Sequence, residues 1–351
     1  MADTIRAGIL GTGFMGQQHG KRLAAMDRVR VAAICDTRPE GATALKESLK
    51  CDAVLYEDFD RMIAGTALDV LYVCLPPFAH DGQVEKAAAK GIHVFLEKPI
   101  ALTAAQAERM VAAIEKAGVV SQVGFHMRFR KGVQRLKQLL DSGQAGKPTL
   151  FDGRYWCNML GGAWWRDIKG SGGQIYEQVI HVYDLASYFL GAPVTAAGFM
   201  GNLCHGGMKD YTIEDTSVGS VLFGTGAMAS IAASNCALPD HFAGDWRVVC
   251  EKAILEYRST GDWRIKDEST VYTHGPDGMK REDIVEDGDP YGEEDAEFVQ
   301  AVRSGGKTRT PARHGLDAIR LVSAVIASAK AGGKPVALKG QKPSPRGPRR
   351  P

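Results

Sequence analysis

A short apolar run, Ile5 to Leu10, passes directly into Gly11-Thr12-Gly13-Phe14-Met15-Gly16, and helical character follows to about Ala25. Glycines at this spacing between strand and helix leave the backbone few choices. Gly11 makes the tight turn, Gly13 lets another molecule approach the main chain, and Gly16 allows close helix-to-strand packing. The free N–H groups at the helix start favour phosphate charge. A second run, Val29 to Cys35, ends at Asp36, twenty residues beyond Gly16, where an acid can take a ribose 2′-hydroxyl. Residues Gly11 to Gly16 with Asp36 therefore predict a dinucleotide site. Asp36 repels a 2′-phosphate and points to NAD, while Arg38 beside it keeps NADP as the alternative.

Alternation continues through a helix at Pro39 to Lys50, strands near Ala53 to Tyr56 and Asp69 to Leu75, and a helix at Phe78 to Lys90. A strand at Ile92 to Leu96, a helix at Thr103 to Ala117 and a strand at Val119 to Gly124 complete the series. Strands alternating with helices mean a doubly wound parallel sheet, an α/β Rossmann domain over residues 1–124. Ligands of such sheets bind beyond the carboxyl ends of the strands. Leu75-Pro76 ends one strand on that edge and His80 begins the helix after it. Glu97-Lys98 ends another, and Pro99 forbids simple continuation of the ladder. These residues are placed where chemistry is expected.

A chain of 351 residues suggests a second domain, because single cores seldom grow far past about 250 residues. The closing stretch 339–351 holds five basic residues, no acid and several prolines, and reads as a disordered basic tail. Taking those five charges from the chain's +2 leaves −3 on the rest, which gives no electrostatic case for nucleic acid. Seven scattered cysteines without a Cys-x-x-Cys pair argue against a metal site and for a reducing compartment. No apolar run reaches the ~18 residues of a membrane span, and little precedes the first strand, so a cytoplasmic protein is expected.

In the second half, over 125–338, Arg128 stands in the link between domains as a candidate donor to an anion or hydroxyl. Asn158, Trp165 and Arg166 lie on a Gly-rich segment, Trp156 to Asp167, that suits a sugar ring, whose face stacks and whose hydroxyls need polar partners. Gly172-Gly173 opens a helix read as Gln174 to Leu190, stopped by Gly191 and Pro193. It is apolar nearly all round and should be buried. Glu177, His181 and Asp184 recur on one face at i, i+4 and i+7, and ionisable groups there need partners or a cavity. From Val194 to about Thr273 short alternating runs predict antiparallel hairpins, while Gly275 to Pro290 reads as an acidic loop.

These motifs together resemble the glucose-fructose oxidoreductase, inositol dehydrogenase and MocA-type (Gfo/Idh/MocA) family. The resemblance is carried by the Gly11 fingerprint with His19 after it, Cys74-Leu-Pro-Pro77 with His80, Gly91-Ile-His-Val-Phe-Leu-Glu-Lys-Pro99 and the His181 helix. It implies a nicotinamide-dependent oxidoreductase acting on a small sugar or cyclitol, with Lys98 touching both substrate hydroxyl and nicotinamide ribose. It also implies a second, α+β domain with an open, largely antiparallel sheet that binds substrate and forms a homodimer or homotetramer. The family's helix reads Gly-Gly-x-x-x-Asp-x-Gly-x-His. Here Glu177 replaces the Asp and Val179 the Gly, with Gln178 between them beside the substrate, while His181 matches.

The expected chemistry is hydride transfer between NAD and a secondary alcohol, with Lys98 and His181 moving the proton. Glu97 orients Lys98, and Glu177 and Asp184 hold the imidazole or substrate hydroxyls. Two alternatives stand beside it: a glycosidase or lyase acting through transient oxidation on retained NAD, and a non-catalytic NAD-binding sensor.

Overall fold

The carboxyl edge of a parallel sheet organises the first half of the structure, a computed structural model that describes residues 4–237, 242–259 and 266–338. The basic tail read at 339–351 lies outside them. The chain runs β1 (Ile5–Leu10), α1 (Phe14–Ala25), β2 (Val29–Cys35), α2 (Pro39–Leu49), β3 (Val54–Tyr56), α3 (Phe59–Gly65), β4 (Val70–Val73), α4 (Gln83–Ala89), β5 (His93–Leu96), α5 (Ala104–Ala117) and β6 (Ser121–Val123). The strands order as β3-β2-β1-β4-β5-β6, all parallel. The order reverses between β1 and β4, so the ligand crevice of such a sheet lies beyond the carboxyl ends of those two strands. The central strands are buried on both faces, as their unbroken apolar runs predict. Thr103 caps α5 by accepting from the Gln106 amide at 3.2 Å, while the Gln106 side chain donates to the His80 carbonyl at 2.9 Å. The helix expected from Phe78 instead starts at Gln83, after a 3₁₀ turn at Pro77–Ala79, because Gly82 takes φ 81° and interrupts it.

The chain forms two compact units, one of residues up to Phe125 with Tyr291–Asp317, the other of His126–Pro290 with the described residues from Ala318 on. The return to the first unit comes through α11 (Pro290–Ser304), whose Phe298 and Val299 join Ile9, Tyr72 and Phe95 in its core. The element order alone suggests an unbroken second domain, and a single amphipathic helix carries no mark of which core its apolar stripe will enter.

The second unit holds α6 (Lys131–Asp141), β7 (Pro148–Cys157), the short helices α7 (Ala163–Arg166), α8 (Ile168–Ser171) and α9 (Gln174–Glu177), and α10 (Ile180–Leu190). Strands β8 (Pro193–Gly201), β9 (Thr216–Phe223), β10 (Met228–Ser234), β11 (Phe242–Cys250), β12 (Ala253–Arg258), β13 (Glu268–Gly275) and β14 (Gly278–Val285) follow. The long α12 (Ala312–Lys330) and β15 (Val336–Ala337) close the fold. The nine-stranded sheet orders β14-β13-β12-β11-β7-β10-β9-β8-β15, antiparallel except where β10 lies parallel to β7. Strand β9 alternates strictly between buried and open positions, and α10 packs on β7 and β10.

Two sequence expectations change here. The stretch Gly275 to Pro290, read as a loop, contains β14, an almost wholly exposed edge strand turned by Gly278 at φ 91°. Its charges look like loop composition because they protect an open sheet edge. The helix read as Gln174 to Leu190 is two helices, α9 and α10, broken at Gln178-Val179.

Candidate functional site

In the first unit the glycines do the work their spacing demands. Gly11 sits at φ 93°, and a Cβ there would stand 2.6 Å from the Cys74 carbonyl oxygen; one at Gly16 would stand 2.0 Å from the Gly11 oxygen. At Gly13, which precedes α1, an added Cβ would meet nothing within 4 Å. The loop is thus closed on its protein side and open at the helix N-terminus, the cradle a pyrophosphate requires. Phe14 is exposed and Met15 half-buried on its rim. Asp36 Oδ2 accepts from the Thr12 amide at 2.8 Å and its hydroxyl at 2.7 Å, while Oδ1 accepts from the Arg38 amide at 2.9 Å. Burial alone would raise Asp36; these hydrogen bonds outweigh it and hold the carboxyl below its ordinary value. Asp36 therefore ties β2 to the glycine loop, and the Arg38 side chain is largely open to solvent.

At the end of β4, Leu75 and Pro76 are half-buried. His80 is buried, and among the described residues neither of its ring nitrogens has a hydrogen-bond partner. Burial holds its pKa at about 4, leaving the ring neutral at pH 7. At the end of β5 the Lys98-Pro99 peptide is cis. Lys98 is half-buried, but the adjacent Glu97 turns inward. Its Oε1 meets His19 Nε2 at 2.9 Å, and its Oε2 accepts from the Lys98 amide at 3.1 Å. Glu97 thus holds the Lys98 backbone from the buried side of the strand end.

In the second unit, Arg128 and Asp184 were separate candidates, one for substrate and one for catalysis. They are bound to each other: Arg128 Nε donates to Oδ2 at 2.7 Å and Nη2 to Oδ1 at 2.5 Å, with both side chains 3% exposed. The guanidinium lies over the Tyr188 ring at 4.5 Å. Burial pushes Asp184 up against the pull of Arg128. This bidentate pair anchors α10 to the segment leading into α6, and Asp184 is not the partner of the His181 ring that the i+3 spacing suggests. His181, buried at the start of α10, instead packs edge-on against His126 with ring centroids 4.6 Å apart.

The break before α10 takes Glu177 off the helix of His181. Its Oε2 accepts from Trp165 Nε1 at 2.8 Å, and Trp165 is 3% exposed in a cluster with Tyr211 and Ile213. Gln178 is buried, its Oε1 near Cys157 Sγ and Gln174 Nε2, and its own Nε2 has no partner among the described residues. Asn158 donates to the Ala237 carbonyl at 2.9 Å, and Arg166 pairs with Asp210 at 2.6 Å. The structure brings together Glu177 with Trp165 and Arg128 with Asp184, and it ties Asn158 to the Ala237 carbonyl and Arg166 to Asp210, both outside that loop.

Asp295 and Glu214, with pronounced electrostatics, escape the sequence reading, and His19 enters it only as part of the family motif. His19 and Asp295 meet at 2.7 Å inside the first unit. Glu214 accepts from the Ile175 amide at 2.7 Å, and burial raises its pKa to about 7. A signal for His19 was available: Gly16, His19, Gly20 and Leu23 form the buried face of α1, and a histidine there demands partners. Two groups of three metal-type ligands also lie within 4.8 Å, Cys204 with Asp215 and Cys236, and His19 with Glu97 and Glu294. Asp215 already accepts from three backbone amides and Thr216, and both nitrogens of His19 face carboxylates.

The family model described as "Oxidoreductase family, NAD-binding Rossmann fold" matches residues 5–125, and the model of the "GFO/IDH/MocA C-terminal domain" matches residues 133–256. The chain is 33% identical over 189 residues to inositol 2-dehydrogenase of Salmonella typhimurium, covering 53% of this chain and 55% of that one. It is 31% identical over 216 residues to 2,7-anhydro-N-acetylneuraminate hydratase of Mediterraneibacter gnavus, covering 58% and 54%. The chain thus spans about half the length of these two relatives. Levoglucosan dehydrogenase, solved with NADH and L-sorbose, matches at a TM-score of 0.84 over 96% of this chain and 99% of that one at 20% identity, a likeness of fold.

Proposed function

The chain belongs to the GFO/IDH/MocA oxidoreductase family, with an NAD-binding Rossmann domain, and from that premise we propose that it oxidises or reduces a sugar, a cyclitol or a derivative at a secondary alcohol. The observation that carries the reading is the end of β5, where the Lys98 backbone is fixed by the inward Glu97 carboxylate. The open cradle at Gly13 and the acid Asp36 fit a dinucleotide, and Gly11 to Gly16, Asp36, Leu75 and Pro76 would hold it. His80, neutral and unpartnered among the described residues, would face it as a donor or acceptor. Bound NAD would supply the hydride acceptor.

Every other task falls to side chains. Lys98 binds the reacting hydroxyl and passes its proton on, and His181 accepts or returns that proton. Glu177, held by Trp165, shapes the substrate side in place of acting as a base. The Arg128–Asp184 pair supports α10 beneath His181. Homo-oligomerisation belongs to the same reading: Phe199 faces Val218 and Leu222 faces Met228 across neighbouring strands, all large apolar residues exposed on one sheet.

Similarity to a hydratase favours a second reading, bond cleavage through transient oxidation on retained NAD. Sugars, cyclitols and anhydro sugars incubated with NAD or NADP, and the keto forms with NADH or NADPH, followed by absorbance and product analysis together, separate the readings. The first predicts stoichiometric NADH and ketone. Cleavage without net NADH supports the second, and NADH binding with no product from any compound leaves only a sensor.

A further inference from the structure

The histidine on the fingerprint helix is buried between two carboxylates. His19 is fully buried, its ring flanked by Tyr72 and Phe95 with centroids 5.3 and 4.7 Å away. Nδ1 stands 2.7 Å from Asp295 Oδ1 and Nε2 stands 2.9 Å from Glu97 Oε1. Where both carboxylates are ionised they only accept, and the ring between them then donates from both nitrogens as an imidazolium. Glu97 in turn holds the Lys98 amide through Oε2, and it is backed by Gly124, where even a Cβ would come within 3.0 Å of Oε1.

We propose that His19 is a positioning residue for Lys98: anchored by Asp295, it fixes the carboxylate that holds the Lys98 backbone. The claim rests on the hydride-transfer reading for its purpose, though not for its geometry. One helix then carries both the phosphate-binding turn and the brace of the lysine. The groups facing the ring are Asp295, Glu97 and Glu294, with Arg22 acting on Asp295 and un-ionised Tyr72 and Cys74 alongside. Burial alone would lower the pKa of His19; the carboxylates outweigh it and raise it to about 9. A buried carboxylate needs a countercharge, and His19⁺ supplies it to Glu97 across the neutral pH range.

The test uses the full chain, with and without NADH. Trace acetylation with acetic anhydride, read at each lysine by mass spectrometry, reports the surroundings of Lys98 without any substrate. In His19→Gln and in the more conservative Asp295→Asn, the Lys98 rate relative to the other lysines should change at least about threefold, while the NADH Kd stays within about threefold of wild type, the pattern of a coupled site that spares distant ones. An unchanged Lys98 rate overturns the proposal. Should either variant fail to fold, ¹⁵N-histidine NMR of the wild type decides: a ring still doubly protonated at pH 8 supports the bridge, and one that loses its proton below pH 7 overturns it. The hydride-transfer reading fails separately, if Lys98→Met keeps wild-type turnover whatever the labelling shows.

Discussion

Replacing Arg128 with Met should expose what the buried pair in the second unit contributes, and the pH dependence of the loss carries the argument. Arg128 and Asp184 are each 3% exposed and joined by two hydrogen bonds of 2.7 and 2.5 Å, so removing one partner strands the other without water. Breaking such a pair costs about 3–5 kcal/mol, which for a domain of this size lowers Tm by roughly 6–20 °C. In Arg128→Met the stranded group is a carboxylate, already pushed up by burial, and losing the guanidinium pushes it further. The unfolded chain still releases that proton near its ordinary value. The folded variant therefore keeps the proton across the interval between, and its stability falls with rising pH by about 1.4 kcal/mol per unit from roughly pH 4 upward; its gap to wild type widens once the wild-type carboxyl, which Arg128 holds lower than the variant's, has ionised. In Asp184→Asn the stranded group is a guanidinium, charged at every accessible pH, so that variant's stability takes no pH slope from this site. The double variant Arg128→Met/Asp184→Leu should recover most of the loss. Urea unfolding and thermal melts of the three variants between pH 5 and 8 read all of this. A Tm for Arg128→Met within about 2 °C of wild type, or a stability of that variant that does not fall with rising pH, would refute the reasoning.

Glu214 supplies a second titration: its folded pKa of about 7 exceeds the ordinary 4.5, so the unfolded state ionises first and stability falls as pH rises from 4.5 to 7. Glu214→Gln should remove up to about 3 kcal/mol of that fall, read as the difference between wild-type and variant urea curves. Gly16→Ala puts a methyl 2.0 Å from the Gly11 oxygen, so NADH affinity measured by fluorescence should drop at least about tenfold while the fold survives by circular dichroism. Asp36→Ala removes the charge that repels a 2′-phosphate and also releases Thr12, so NAD binding should weaken and the NADP/NAD affinity ratio should rise at least about tenfold in calorimetry.

How far the sequence could be read follows from where its signals are local. The Rossmann sheet, the glycine turn and the family were legible because each depends on residues close in the chain and on one periodicity. The break at Gln178-Val179 was not, since both residues fit an apolar helix and the interruption arises from what they pack against. Arg128 and Asp184 lie 56 positions apart, and nothing in either neighbourhood says that each is the other's partner. The same holds for His19 and Asp295, joined across 276 positions through a helix that packs in the first core. Strand β14 was hidden for another reason, because a solvated edge strand carries the composition of a loop.

The central claim is that the Lys98 amine serves the reacting hydroxyl. The most direct measurement is kcat of Lys98→Met against wild type, at saturating NAD and at saturating concentration of whichever alcohol gives NADH with the wild-type protein. The account predicts a loss of at least about 10²-fold with NADH affinity preserved. Turnover within about threefold of wild type, at equal NADH affinity, would contradict it.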